Sequence, residues 1–208
     1  MTTDVELECR CGEVRGRVRG ASKKNTNRVV CYCDDCQAFL HHLGRAELLD
    51  DHGGTRIIQV APASLSFDRG TERIACLRLT PKGLYRWFTT CCKTPLGNTL
   101  TPAIPFVGIE ESCFRAPVDE VFGPPIASIL GKYAVGDPPP GSTKVDLRLI
   151  ARTIRLLLGW KIGRRSWPHP FFEKKARKPR FEMIVLTKEE REALRPLCGP
   201  IARSIARA

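Results

Sequence analysis

The sequence predicts a mainly β fold of small antiparallel sheets with a helical, basic C-terminal extension. Three observations carry that reading. Short segments alternating apolar and polar residues follow one another through the first two-thirds of the chain, with turn-forming residues between them. Nine of the ten cysteines lie before residue 114. The charge runs the other way: residues 1–144 hold 18 basic and 16 acidic side chains, whereas residues 145–208 hold 16 and 6, so nearly all of the formal +12 sits in the last third. The predicted organisation is a cysteine-bearing β-domain over 1–116, a proline-rich connector over 117–142 and the basic helical extension over 143–208.

The strands are read in order. Residues 5–9 and 13–19 alternate with period two, and further runs follow at 28–31, 56–60, 64–67, 73–79, 84–88 and 105–109. Asp68-Arg69-Gly70-Thr71 and Thr80-Pro81-Lys82-Gly83 read as hairpin connections. Short strands at this spacing favour a small sheet or sandwich over a doubly wound fold. One helical turn is expected around Asp34 to His42, just after the second cysteine group. The connector ends in Pro138-Pro139-Pro140, which is stiff. Beyond it, Leu147, Ile150, Ala151, Ile154, Leu157 and Leu158 recur at helical steps and predict an apolar face, with Arg148, Arg152 and Arg155 beside it. Thr187-Lys188-Glu189-Glu190 has capping-box spacing for a second, shorter helix that Gly199-Pro200 would end.

Composition excludes several classes. Hydrophobic residues make up 42% and charged residues 27%, which suits a folded globular chain rather than a disordered one. No stretch approaches the ~18 apolar residues of a membrane span. The start Met1-Thr2-Thr3-Asp4 does not resemble a secretory signal, so a reducing, cytoplasmic location is expected. In that setting clustered cysteines point to metal or redox chemistry before structural disulfides.

Three cysteine groups stand out: Cys9-Arg10-Cys11-Gly12, Cys31-Tyr32-Cys33-Asp34-Asp35-Cys36 and Cys91-Cys92. Gly12 gives the backbone freedom to turn the first two thiols toward one ion. Four thiolates close a structural zinc site, whereas three leave a position open for a reactive one. The count therefore supports two metals. One is a closed site from Cys9, Cys11 and the Cys91/Cys92 pair; the other is an open site in which Cys31, Cys33 and Cys36 hold a reactive ion. Buried apolar cysteines and a redox pair are the competing readings. Cys76, Cys113 and Cys198 are isolated and are expected to be packed.

These elements, with Ser64 to Gly70, Arg86-Trp87-Phe88 and Cys91-Cys92-Lys93-Thr94-Pro95-Leu96, resemble the glutathione-dependent formaldehyde-activating enzyme family, also called the centromere protein V-like family, over about residues 5–110. The resemblance implies an Mss4-like fold of small twisted sheets. It implies a structural zinc at the first Cys-x-Cys and a late Cys pair, a second and more labile zinc at Cys-x-Cys-x-x-Cys, and carbon–sulfur lyase chemistry on a hemithioacetal of glutathione. The chain departs from the family twice. Thr89 stands where the late pair usually begins, so either Cys91 substitutes or the site is completed otherwise. Tyr32 stands where the second cluster commonly has His.

Around the second cluster, His41 or His42 is a candidate metal approach or proton shuttle. Asp34 and Asp35 are candidate hydrogen-bonding supports of the cluster or, the favoured reading, caps of the turn, and Asn98 is a candidate orienting group. The run Lys174-Lys175-Ala176-Arg177-Lys178-Pro179-Arg180, with Trp167, Phe171 and Phe172 before it, is a candidate surface for nucleic acid or anionic membrane. Two functions are thus expected to compete. The first is a zinc-dependent carbon–sulfur lyase acting on a thiol adduct. The second is a non-catalytic zinc module that engages a partner through its basic region.

Overall fold

The computed structural model describes residues 2–200. In chain order the strands are β1 (Thr3–Glu8), β2 (Arg15–Ala21), β3 (Asn27–Cys31), β4 (Thr55–Val60), β5 (Leu65–Arg69), β6 (Ile74–Arg78), β7 (Tyr85–Thr89), β8 (Pro95–Thr99), β9 (Val107–Glu110), β10 (Ala127–Ile129) and β11 (Met183–Val185). The α-helices are α1 (Asp34–His42), α2 (Val118–Phe122), α3 (Leu147–Ile162) and α4 (Lys188–Ala193). The fold is mainly β, as the alternation predicts. A three-stranded antiparallel sheet has the order β1-β2-β5, and an eight-stranded sheet runs β10-β3-β4-β9-β8-β7-β6-β11.

Period-two alternation decides what each face of the large sheet meets. Ile74, Cys76 and Trp87 join Val5, Leu7 and Val18 of the small sheet, and Val14 of the β1–β2 connection, in the main core. Their neighbours Ala75, Leu77 and Phe88 face the other way, onto Ala38, Phe39, Leu40 and Leu43 around α1. α1 is therefore pressed on the sheet face opposite the small sheet, and that placement brings the second cysteine cluster over β7 and β9.

The structure differs from the sequence expectation at several points. Asp68 to Thr71 makes no hairpin: β5 and β6 belong to different sheets, and Gly70, at φ 73°, turns the chain from one to the other. Thr80 to Gly83 does close the β6–β7 hairpin, with Gly83 N donating to Thr80 O at 3.0 Å. β10 and β11 pair parallel with β3 and β6, making the large sheet mixed. β8 is central and wholly buried although Pro95, Gly97 and Asn98 read as loop residues. Pro95 opens the strand, where a missing N–H is tolerated. Gly97, at φ 148°, lies so close to β9 that a Cβ would sit 1.9 Å from Gly108 O.

α3 forms where the helical period predicts it, with Asp146 accepting from Arg148 N and Leu149 N at 2.9 and 3.1 Å. Its buried face is not the predicted one. Leu156 and Trp160 dock on Ala61, and Arg152 reaches Asn27 Oδ1 and the carbonyls of Lys23 and Thr26 at 2.6–2.8 Å. Trp160 brings more apolar area than any residue of the expected stripe, and Arg152 and Thr153 find polar partners on the same side, so that face wins. Leu147, Ile150, Ile154 and Leu158 are left exposed. The capping box at Thr187 and Glu190 is formed in both directions.

Packing crosses the composition boundaries at 116/117 and 142/143. Phe171 stacks on Trp87 at 4.4 Å, Phe172 meets Trp87 and Tyr85 edge-on, and Trp167 packs against the same core. The aromatics beside the basic run are thus taken up by the core. Lys174, Lys175, Arg177 and Lys178 remain exposed.

His169 is 1% exposed beside Phe171 and Phe172. Its Nδ1 accepts from Phe171 N at 3.2 Å, while Nε2 has no partner among the described residues. Burial, with Arg180 adding, lowers its pKa to about 4. The unfolded chain then binds the extra proton between about pH 6.5 and 4, so stability from this residue is present above pH 6.5 and lost as pH falls toward 4. The shift corresponds to about 3 kcal/mol. His169→Asn keeps an acceptor for Phe171 N without the titration. Urea melts at pH 7 and pH 4.5 should show a smaller acid loss for His169→Asn than for the native chain; equal losses would assign acid sensitivity elsewhere.

Candidate metal centres

The first centre joins the two sheets. Cys9 and Cys11 lie on the β1–β2 connection, where Gly12, at φ 79°, lets the chain turn back so that Gly12 N donates to Cys9 O at 3.0 Å. Cys91 and Cys92 lie on the β7–β8 connection, which Lys93 reverses at φ 55°. All four Sγ atoms fall within 4.8 Å of one another. Cys9–Cys11, Cys11–Cys91, Cys91–Cys92 and Cys9–Cys91 are separated by 3.5, 3.4, 3.8 and 4.0 Å. A tetrahedron with metal–sulfur bonds of about 2.3 Å has edges of about 3.8 Å. The adjacent cysteines are therefore brought to one point, and Thr89 contributes a hydroxyl 3.4 Å from Cys92 Sγ.

Three of the thiols there, Cys9, Cys91 and Cys92, are pushed in different directions. Burial and neighbouring thiols push Cys9 up and take Cys91 to about 12. At Cys92 burial is outweighed by the Thr89 and Thr94 hydroxyls and by Cys11, which bring it to about 5. A thiolate is comfortable at Cys92 but not at Cys9 or Cys91 without a cation. The donor set fits a thiolate-seeking ion.

The second centre is local. Cys31 ends β3, Cys33 is the N-cap of α1 and Cys36 lies in its first turn, with Cys36 N donating to Cys33 Sγ at 3.3 Å. Their three Sγ atoms also lie within 4.8 Å of one another. No histidine or carboxylate joins either group among the described residues. His41 and His42 sit at the far end of α1. Asp34 and Asp35 do not cap it: Arg191 and Arg195 bind Asp34 at 3.1 and 2.6 Å, and Arg191 binds Asp35 at 3.0 Å, tying the C-terminal region to the cluster.

Beneath this cluster lie two groups to which the sequence reading gave no role. Arg86, 2% exposed, reaches Cys36 Sγ with Nη1 at 3.7 Å and sits over the Phe39 ring; its Nη2 has no partner among the described residues. Burial pulls the guanidinium down, but Cys36 and Cys33 more than restore it, so it stays charged. Contacts with Cys31 and Cys33, helped by Arg86, hold Cys36 well below the ordinary thiol range. Cys33 and Cys36, together with burial, push Cys31 well above it. Glu110 accepts from Thr55 Oγ1 at 2.6 Å, and burial raises it to about 8. Arg86, Glu110, Asn98 and Cys36 share a cavity of about 10 Å³, the size of one water. The available signal was a charged residue inside an otherwise apolar strand, Tyr85-Arg86-Trp87-Phe88. Such a residue faces inward only with a partner. Leu149 of α3 and Ile129 of β10 pack against the cluster from outside.

Cys76, Cys113 and Cys198 are buried in the cores, and all ten cysteines are free thiols. No helix among the described residues is long and apolar enough to cross a membrane.

A fold with two cysteine groups that can hold metal ions defines the class of protein. The chain belongs to a family of unknown function, DUF6151, whose profile matches residues 1–183. No curated protein matches it. A crystal structure of a Rhodobacter sphaeroides protein is similar over 55% of this chain and 94% of that one, with 17% identity and a TM-score of 0.39.

Proposed function

We propose that the protein is a zinc enzyme of the carbon–sulfur lyase type, with one structural and one reactive site, acting on a thiol adduct such as a glutathione hemithioacetal. The observation that carries this reading is the unequal donor count: four cysteines meet at the first centre, and three, with no further protein donor among the described residues, at the second. Cys9, Cys11, Cys91 and Cys92 hold the structural ion, and Cys31, Cys33 and Cys36 the labile one. Zinc bound by three thiolates supplies affinity for a fourth, exogenous thiolate.

The chain's own residues account for the rest. Three cysteine thiolates around a divalent ion leave one net negative charge, which would repel an incoming thiolate. The Arg86 guanidinium beside Cys36 cancels it. In the reaction a carbon–sulfur bond forms or breaks between the substrate sulfur and a carbonyl carbon, and the thiol's proton ends on the carbonyl oxygen. Resemblance of the cysteine pattern to the formaldehyde-activating enzymes supports the substrate class, and a cytoplasmic setting would keep the thiols reduced. Had His41 or His42 joined the second group, the non-catalytic module would be the better reading.

Cobalt reports on this site directly. Protein loaded with cobalt should change its visible absorption when glutathione is added, and Cys33→Ser should abolish that change while leaving the first site's spectrum. Arg86→Met should weaken thiol binding at least about tenfold, roughly 1.4 kcal/mol, and Arg86→Lys should retain most of it. Magnetisation transfer between formaldehyde hydrate and its glutathione adduct should be faster with native protein than with Cys33→Ser. A cobalt spectrum indifferent to glutathione would end the proposal.

A further inference from the structure

The apolar stripe of α3 faces away from the body of the protein. Leu147, Ile150, Ile154, Leu158 and Ile162 follow one another at steps of three and four, and each is between 43% and 82% exposed. At 100° per residue they fill one side of a helix about 24 Å long. The opposite side is fastened to the sheet by Leu156, Trp160 and Arg152. The stripe is thus presented on a fixed support and is covered by no other element among the described residues.

The charge around the stripe selects the occupant. Arg148, Arg155 and Lys161 are exposed, α3 contains no acidic residue, and Asp146 is engaged as its cap. Residues 145–208 carry a net +10. A second copy seated on this face would set arginine against arginine. A nucleic acid would answer the charge but leave five large apolar side chains against water. An anionic lipid surface answers both, since acyl chains take the apolar stripe while headgroups meet the basic flank.

We infer that α3 is a docking helix with which the protein lies on anionic bilayers, its apolar stripe in the interface and its basic side chains among the headgroups. The proposal is independent of the chemistry at the cysteines.

The test uses the full chain and sedimentation with vesicles, either of phosphatidylcholine alone or with about one-third phosphatidylserine, in about 0.1 M salt, where the Debye length is about 10 Å. Binding should be at least tenfold tighter to the anionic vesicles. Ile154→Asp with Leu158→Asp should lose it tenfold or more. Because both positions are solvent-exposed, circular dichroism and metal content should stay native. Arg148→Glu with Arg155→Glu should bring anionic and neutral vesicles to equal, weak binding. Three results would overturn the inference: vesicle binding unchanged by the aspartates, binding to an RNA or DNA duplex that competes fully with the vesicles, or a stable dimer that the aspartates dissociate.

Discussion

Cys9→Ser is expected to unfold most of the protein, while Cys33→Ser leaves it folded. The difference follows from what each centre ties together. The first connects the β1–β2 turn of the small sheet to the β7–β8 turn of the large one, across 82 residues between Cys9 and Cys91. Treated as a cross-link, a loop of that length is worth about 4–5 kcal/mol of chain entropy. Metal–ligand bonding adds to this, because a structural site exists only in the folded chain. Against a total stability of about 5–15 kcal/mol, losing that tie removes a large share. The second centre closes only the segment from Cys31 to Cys36, where the same reasoning gives about 2 kcal/mol. β3 and α1 would persist there through their own hydrogen bonds and apolar contacts. Urea melts with zinc content measured on the same samples check this. The native chain should carry between one and two zinc ions, Cys33→Ser no more than one, and Cys9→Ser should show a midpoint shift at least twice that of Cys33→Ser. Equal shifts would mean that the division into structural and reactive centres is wrong.

Much of this centre could be read in the sequence because thiol chemistry needs close spacing, and close spacing is visible. Cys31, Cys33 and Cys36 are neighbours in the chain, and Gly12 marks the turn after Cys11. What brings Cys91 and Cys92 to Cys9 is not visible, because it depends on how two sheets stack. The alternating strands were legible for a similar reason: a half-buried strand repeats every two residues. β8 was not, because its burial comes from its central place between β7 and β9, and Pro95 and Gly97 argue locally for a loop. β10 and β11 are three-residue edge strands whose pairing is set by distant chain. For α3 the period was right and the face wrong. Apolar spacing counts residues, whereas docking weighs Trp160 and the Arg152 hydrogen bonds above four exposed aliphatic side chains. Arg86 stayed without a role because its partner, Cys36, lies 50 residues away.

Composition suggests that a cut after Gly141 would spare the metal-binding region, since every clustered cysteine lies upstream of it. The packing leads to the opposite expectation. Phe171 and Phe172 are fully buried and cover Trp87, Tyr85 and Phe67. Removing either ring from such a core costs about 3–5 kcal/mol. The cut removes both, together with β11 along β6, Leu186 and Leu194 against Leu77 and Phe39, and the arginines that hold Asp34 and Asp35. The sum exceeds the stability of an ordinary domain. It also bares the β6 edge and an aromatic surface, both of which promote association between chains. Residues 1–141 alone should therefore accumulate as insoluble protein, or as a soluble species without near-ultraviolet ellipticity from Trp87. Phe172→Ala in the full chain isolates the cause: it should lower the urea midpoint by an amount equivalent to about 3–5 kcal/mol while leaving the zinc content of the native chain unchanged. A soluble 1–141 fragment with native ellipticity and full zinc content would show that the β-region stands alone, and that the C-terminal aromatics cover a core already complete without them.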